Sequence, residues 1–163
     1  MCDPLVTVYL TNYNYGLFIR QAIESVLTQT QQDFELIIID DGSVDNSRTV
    51  IEEYAGHPKI KIILQNNKGL TVTNNIALRA ARGRYIMRLD ADDWLDSHAL
   101  EVLSNKLERN PGIGLVFPDY YLVNPEGNVI QQVRRHDFGD VTLLDQPAHG
   151  ACTMIRSSCL REV

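Results

Sequence analysis

Three carboxylates crowd into four residues at Asp90, Asp92 and Asp93, directly after the apolar run Tyr85-Ile86-Met87-Arg88-Leu89. Close like charges make one another harder to ionise, and a cation removes that penalty. A magnesium-like ion takes one or two protein carboxylates and completes its shell with water and phosphate oxygens. In extended backbone, residues two apart point the same way, so Asp90 and Asp92 can face one ion. The competing reading is an acidic loop that merely caps the next helix. Asp96 and Ser97 stand closer to the apolar pattern that begins at Ala99, and either can act as that cap. The acids at 90, 92 and 93 are then surplus to capping and available to metal and phosphate.

A second group is Asp40-Asp41-Gly42-Ser43, which closes the apolar run 34–39. A carboxylate there can accept two hydrogen bonds from a base or a ribose, and Gly42 permits close backbone approach. Asp41 could instead turn the chain and cap a helix, and Ser43 is read as that cap. Thr11 and Tyr13 follow the run 5–10. Tyr13 can stack on a nucleobase, an interaction of roughly 1–3 kcal/mol in nucleic-acid cases, or pack over the end of a sheet. Asn74 and Asn75 are adjacent amides inside a helical pattern, where amides are poor helix formers. One of them should bond outside the helix, to a loop or to a ligand. His149 reads as structural, and Arg134, Arg135 and His136 read as a solvated face. The sequence has no Gly-x-x-x-x-Gly-Lys-Ser/Thr loop, no Gly-x-Gly-x-x-Gly after the first strand and no Gly-x-Ser-x-Gly elbow.

Positioning these residues requires a scaffold, and the hydrophobic pattern supplies one. Strands are expected at 5–10, 34–39, 60–64, 85–89 and 114–117. Between them, Phe18, Ile19, Ala22, Ile23, Val26 and Leu27 repeat at helical spacing, as do Val50, Ile51 and Tyr54, and then Leu100, Leu103 and Leu107. Residues 70–81 are good helix formers ending before Gly83. Alternation of this kind predicts an α/β fold: a mainly parallel sheet, helices on both faces, right-handed crossovers. After residue 117 the alternation stops. Residues 120–123 and 129–133 flank Asn124-Pro125-Glu126-Gly127-Asn128, which reads as a β-hairpin. Residues 134–147 read as irregular, 151–155 as a further strand, and Ser157 or Ser158 as the cap of a last helix. Ligands of such sheets bind beyond the carboxyl ends of the strands. Loops 11–15, 40–43 and 90–93 lie there and carry the chemistry; loops 56–59 and 110–112 lie opposite and carry turn residues.

The 163 residues are 44% hydrophobic and 22% charged, a globular composition that suits one domain over residues 1–163. A net charge of −6 argues against nonspecific nucleic-acid binding. Cys2, Cys152 and Cys159 imply neither a zinc site nor a disulfide framework. No apolar run is long enough to span a membrane. The start is not a signal peptide, so a cytoplasmic location is the default expectation.

Several of these stretches, in order, resemble the family 2 glycosyltransferases with the GT-A, Rossmann-like fold. They are Val6-Thr7-Val8 through Tyr13-Asn14, Ala22 through Thr30, Phe34 through Ser43, Gly83-Arg84-Tyr85-Ile86, and Leu89-Asp90-Ala91-Asp92-Asp93. The resemblance covers nearly the whole chain. It implies inverting transfer from a nucleotide-sugar, most often a UDP-sugar, with Mn2+ or Mg2+, to a saccharide or lipid-linked saccharide acceptor. It implies cell-surface polysaccharide synthesis, with the full-length protein cytoplasmic and peripheral to the membrane. The implied nucleotide contacts are Thr11, Tyr13, Asp40, Asp41, Asn75, Asp90 and Ala91. The implied metal ligands are Asp92, Asp90 and Asp93. Two departures stand out. Many members carry Arg-Asn where this chain has Asn74-Asn75. The family's general base lies in a motif downstream of the segment resembling 149–156, so it is expected beyond Val163, with this chain the donor-binding part of a longer enzyme. A noncatalytic nucleotide-sugar-binding module is the alternative. A phosphohydrolase with an Asp-x-Asp nucleophile fits less well, because such pairs usually follow the first strand, and here the pair follows the fourth.

Overall fold

The structure, a computed structural model, describes residues 3–134 and 151–161. In chain order the elements are β1 (Val6–Asn12), α1 (Ile19–Leu27), β2 (Phe34–Asp41), α2 (Ser47–Glu52), β3 (Ile60–Gln65), α3 (Leu70–Ala80) and β4 (Tyr85–Asp90). There follow α4 (Ala99–Arg109), β5 (Leu115–Val116), β6 (Tyr120–Val123), β7 (Val129–Val133), β8 (Met154–Arg156) and α5 (Ser157–Arg161). The main sheet has the order β3-β2-β1-β4-β8-β5, and β6 and β7 form a separate hairpin. Strands β3, β2, β1 and β4 are mutually parallel, while β8 runs antiparallel to both of its neighbours.

Strand pleating explains the layers. Val8 and Leu10 of β1, Leu36 and Ile38 of β2, and Met87 and Leu89 of β4 point to one face, where they meet Ile19, Ile23 and Val26 of α1, Ile51 of α2 and Leu100, Leu103 and Leu107 of α4. The alternate residues Tyr9, Ile37, Ile39 and Ile86 meet Ala77 of α3, with Leu160 of α5 packed beside them. Both faces are thus covered, which is why β2 can be apolar at nearly every position and buried along its whole length.

The expected fifth strand is only two residues long and does not lie beside β4. Strand β8 takes that place, and the fully buried Met154 fills the core there. The expected strand 151–155 begins later, at Met154, because Cys152 sits at φ 58, a left-handed conformation that cannot continue a strand. The hairpin forms as expected. The Asn128 N–H reaches the Asn124 side-chain oxygen at 2.8 Å, and Gly127 takes φ 83. The readings of Arg135, His136 and His149 lie outside the described residues.

The amino ends of the strands are held by a polar clamp. The Thr7 hydroxyl donates to Glu35 Oε1 at 2.7 Å and accepts the Gly83 N–H at 2.8 Å. Arg82 donates its N–H to Glu35 Oε1 at 2.7 Å, and its Nε and Nη2 to Oε2 at 2.9 and 2.7 Å. The turn between α3 and β4 is thereby drawn tight against β1 and β2. A Cβ on Gly83 would sit 2.3 Å from the Thr7 nitrogen. Gly83→Ala is therefore expected to lower unfolding free energy by about 1–3 kcal/mol in urea titration, the usual cost of overpacking; unchanged stability would contradict the clamp.

Burial alone would raise the Glu35 carboxyl, but the Thr7 hydroxyl and the Arg82 amide and guanidinium outweigh it and hold it below its ordinary value of 4.5. A lowered carboxyl stabilises the fold above its unfolded value, and that stability is lost as pH falls through the lower folded value. Glu35→Gln should cost about 1–3 kcal/mol at neutral pH. It should also flatten the decline in melting temperature below pH 4.5. A decline as steep as the native one would contradict the assignment.

Candidate functional site

Three loops at the carboxyl ends of β1, β2 and β3 are stitched together by side chains that the strands deliver. Asp40 and Asp41 end β2 and, as neighbours on a pleated strand, point to opposite faces. Asp40, fully buried, accepts from Asn12 Nδ2 at 2.9 Å, from the Ser43 N–H at 3.2 Å and from Arg48 Nε at 2.9 Å. Burial opposes its ionisation; hydrogen bonds from Ser43, Arg48 and Asn12 prevail and keep the carboxyl below its ordinary value. Asp41 accepts from Gln65 Nε2 at 2.7 Å, the Lys68 N–H at 2.8 Å and the Gly69 N–H at 2.9 Å. It thus anchors the loop before α3.

The first two loops are joined directly as well. The Ser43 hydroxyl accepts from the Asn14 N–H at 2.9 Å and from Asn12 Nδ2 at 3.0 Å. Asn14, itself at φ 62, accepts the Val44 N–H at 2.8 Å. Asp45 Oδ2 accepts the Gly16 N–H at 2.9 Å. Gly42 takes φ 84, and a Cβ there would lie 2.6 Å from the Asn67 nitrogen, so the second and third loops touch backbone to backbone. The result is a rigid rim.

Behind this rim opens a cleft of about 370 Å³ on the α3 face of the sheet. Thr11, Tyr13, Asp41, Asp90, Ala91 and Asp92 all line it. Thr11 and Asp90 are register neighbours on β1 and β4, and their side chains fall on the same face as Ile39 and Asp41. Tyr13 is about half exposed at the mouth, free to meet a flat ring.

Other expected contacts fall elsewhere. Asp40 does not line the cleft, because strand alternation sends it to the opposite face. Asn75 is exposed on α3 and outside the lining; the buried positions of that helix are Thr73 and Ala77. Asp93 is exposed and outside the lining too, its N–H returning to the Asp90 carbonyl at 3.1 Å. Ser43 does not cap α2: Asp45 Oδ1 accepts the Ser47 N–H at 3.0 Å instead. Of the amide pair, the Asn74 side-chain oxygen is buried with no hydrogen-bond partner among the described residues, so it makes no loop contact there. Tyr15, within the expected loop 11–15, also lines the cleft, as does Thr73, which the sequence reading passed over. Thr73 could have been found from its place one turn after Gly69, the residue that starts α3 at φ 81.

The cleft is lined by three carboxylates and, among the described residues, by no lysine, arginine or histidine. Arg88 lies next to Asp90 without lining the cleft, its Nε 3.0 Å from Asp90 Oδ1 and its Nη2 donating to Oδ2 at 3.1 Å. Asp92 has no hydrogen-bond or ion-pair partner among the described residues. No group of three or more acidic, histidine or cysteine side chains converges among those residues. Two neighbouring carboxylates, one unpartnered, nonetheless suit a hard divalent ion that takes most of its shell from phosphate and water. A larger hollow of about 780 Å³ lies at the opposite rim. Its cations are already engaged: Arg82 by Glu35, Arg84 by Glu108, and Arg156 by the carbonyls of Leu107, Asn110 and Ile113. It offers a ligand less than the smaller cleft does.

Comparison with known proteins agrees with this geometry. The glycosyl transferase family 2 model matches residues 7–162. Chondroitin synthase of Escherichia coli is 38% identical over 128 residues, which is 78% of this chain and 19% of that protein. Among solved structures, S. aureus TarS 1-349 in complex with UDP-GlcNAc superposes with a TM-score of 0.79 at 21% identity, over 96% of this chain and 46% of that one. A mannosyltransferase from Pyrobaculum calidifontis, in complex with GDP-Man and Mn2+, superposes with a TM-score of 0.64 at 24% identity, over 77% and 37%. These superpositions establish the GT-A fold. The chain spans less than half the length of each of these three proteins. By the family match, the chain belongs to glycosyl transferase family 2.

Proposed function

We propose that this chain is the donor-binding part of an inverting glycosyltransferase that moves a sugar from a UDP-sugar to an acceptor hydroxyl in polysaccharide synthesis. The observation that carries the reading is the charge of the cleft. Asp41 is saturated and Asp90 is paired with Arg88, so the unpartnered Asp92 disfavours a bare diphosphate and favours one that arrives with a divalent ion. The UDP-GlcNAc held by TarS and the Mn2+ held by the mannosyltransferase support that choice of ligand.

The residues divide the work. Tyr13 stacks on the base at the mouth, and Thr11 and Asp41 border it. Asp90 sits by the ribose. Asp92, with Asp90 beside it, would hold Mn2+ or Mg2+, whose charge offsets that of the departing diphosphate. The rigid rim fixes the donor so that the acceptor oxygen can approach the anomeric carbon in line. The acceptor, a saccharide or lipid-linked saccharide, gives its proton to a carboxylate base, the group the family resemblance implies for that role. No helix among the described residues is long and apolar enough to cross a membrane. A cytoplasmic position, peripheral to the membrane, accords with a nucleotide-sugar donor.

Calorimetry with UDP tests the reading. Affinity should be at least about tenfold higher with Mn2+ than without, the gain expected when a dication joins two anionic partners. Asp92→Ala should remove that difference while leaving the melting temperature near the native one. Equal affinity with and without Mn2+, or none in either, would contradict the proposal, and so would an Asp92→Ala variant that keeps the full metal effect.

A further inference from the structure

The three carboxylates of the cleft are in three different states. Asp41 is saturated by Gln65 and by the amides of Lys68 and Gly69. Asp92 has no partner among the described residues. Asp90 is paired with Arg88, whose Nη2 donates to Oδ2 at 3.1 Å and whose Nε, 3.0 Å from Oδ1, makes no hydrogen bond among the described residues. Arg88 stands two residues before Asp90 on β4, so the pleat sends both to the α3 face. Its side chain is only 17% exposed and does not line the cleft, so its charge acts on Asp90 from behind. Its backbone is pinned as well: Tyr9 is its register neighbour on β1, and its carbonyl accepts the Cys152 N–H at 2.7 Å.

We propose, resting on the donor-site reading above, that Arg88 is a positioning residue that occupies Asp90 so that a divalent cation is held by Asp92 and binds firmly only together with a nucleotide diphosphate. The reason is electrostatic. Two unpaired carboxylates side by side make a strong site for a bare dication. With Arg88 in place, the pair Arg88–Asp90 carries no net charge, and Asp92 alone attracts the ion. The diphosphate then brings the missing negative charge, so ion and nucleotide enter as a unit.

The test is titration of Mn2+ alone, without nucleotide, into the native protein and into Arg88→Met, Arg88→Gln and Arg88→Lys, with each fold checked by circular dichroism. The Met and Gln variants should bind Mn2+ about tenfold more tightly than the native protein, because the full charge of Asp90 then faces the ion. Arg88→Lys, which keeps the charge, should stay near the native affinity. In the neutral variants the enhancement of Mn2+ binding by UDP should shrink. Unchanged or weaker Mn2+ binding in a folded neutral variant would overturn the proposal. Loss of fold in both neutral variants would also overturn it, since Arg88 would then be a structural strut. If the native protein shows no coupling between UDP and Mn2+, the donor-site reading fails; the comparison of Mn2+ alone across the Arg88 variants still decides the role of Arg88.

Discussion

Two adjacent carboxylates at the end of one buried strand hold the working rim together. Asp40 and Asp41 leave β2 on opposite faces, and each gathers hydrogen bonds from a different set of loops. Charges buried in this way are tolerated only when donors surround them. That demand turns into geometry. Asn12, Ser43 and Arg48 are drawn to one side; Gln65 and the amides of Lys68 and Gly69 are drawn to the other. These loops are thereby fixed before any ligand is bound, which is the kind of preorganisation that the proposed donor site requires.

The opposite rim obeys the same logic with a different outcome. Glu35, near the start of the same strand, gathers Thr7 and Arg82 and seals the turn at Gly83. Its donors are consumed in closing the structure. At the carboxyl rim, Asp90 is paired with Arg88 and Asp92 keeps capacity for something outside the chain. Carboxylates at both ends of β2 are thus spent on structure, and the carboxyl rim differs in Asp92, past the end of β4, which has no partner among the described residues.

Much of this was legible in the sequence. The alternation of apolar runs gave the layers, and the polar loops expected at the strand carboxyl ends do lie together at one rim. Thr11, Tyr13, Asp41, Asp90, Ala91 and Asp92 do come together in one cleft. The misses have physical causes. Asp40 and Asp41 look equivalent in a line of letters, yet strand pleating gives one to the core and one to the cleft. Ser43 looked like a helix cap, but two donors from the first loop claim its hydroxyl. Strand β8 inserts between β4 and β5 through long-range pairing that no local pattern announces. Arg88 hid in an apolar run, although its spacing of two from Asp90 was a signal that the two share a face.

A crystal soaked with UDP and Mn2+ tests the central claim most directly, through the anomalous signal of the metal. The account expects one manganese peak at the Asp92 carboxylate, with the diphosphate beside it and the base near Tyr13. A nucleotide lodged in the hollow lined by Arg82, Arg84 and Arg156, with no metal at Asp92, would contradict it.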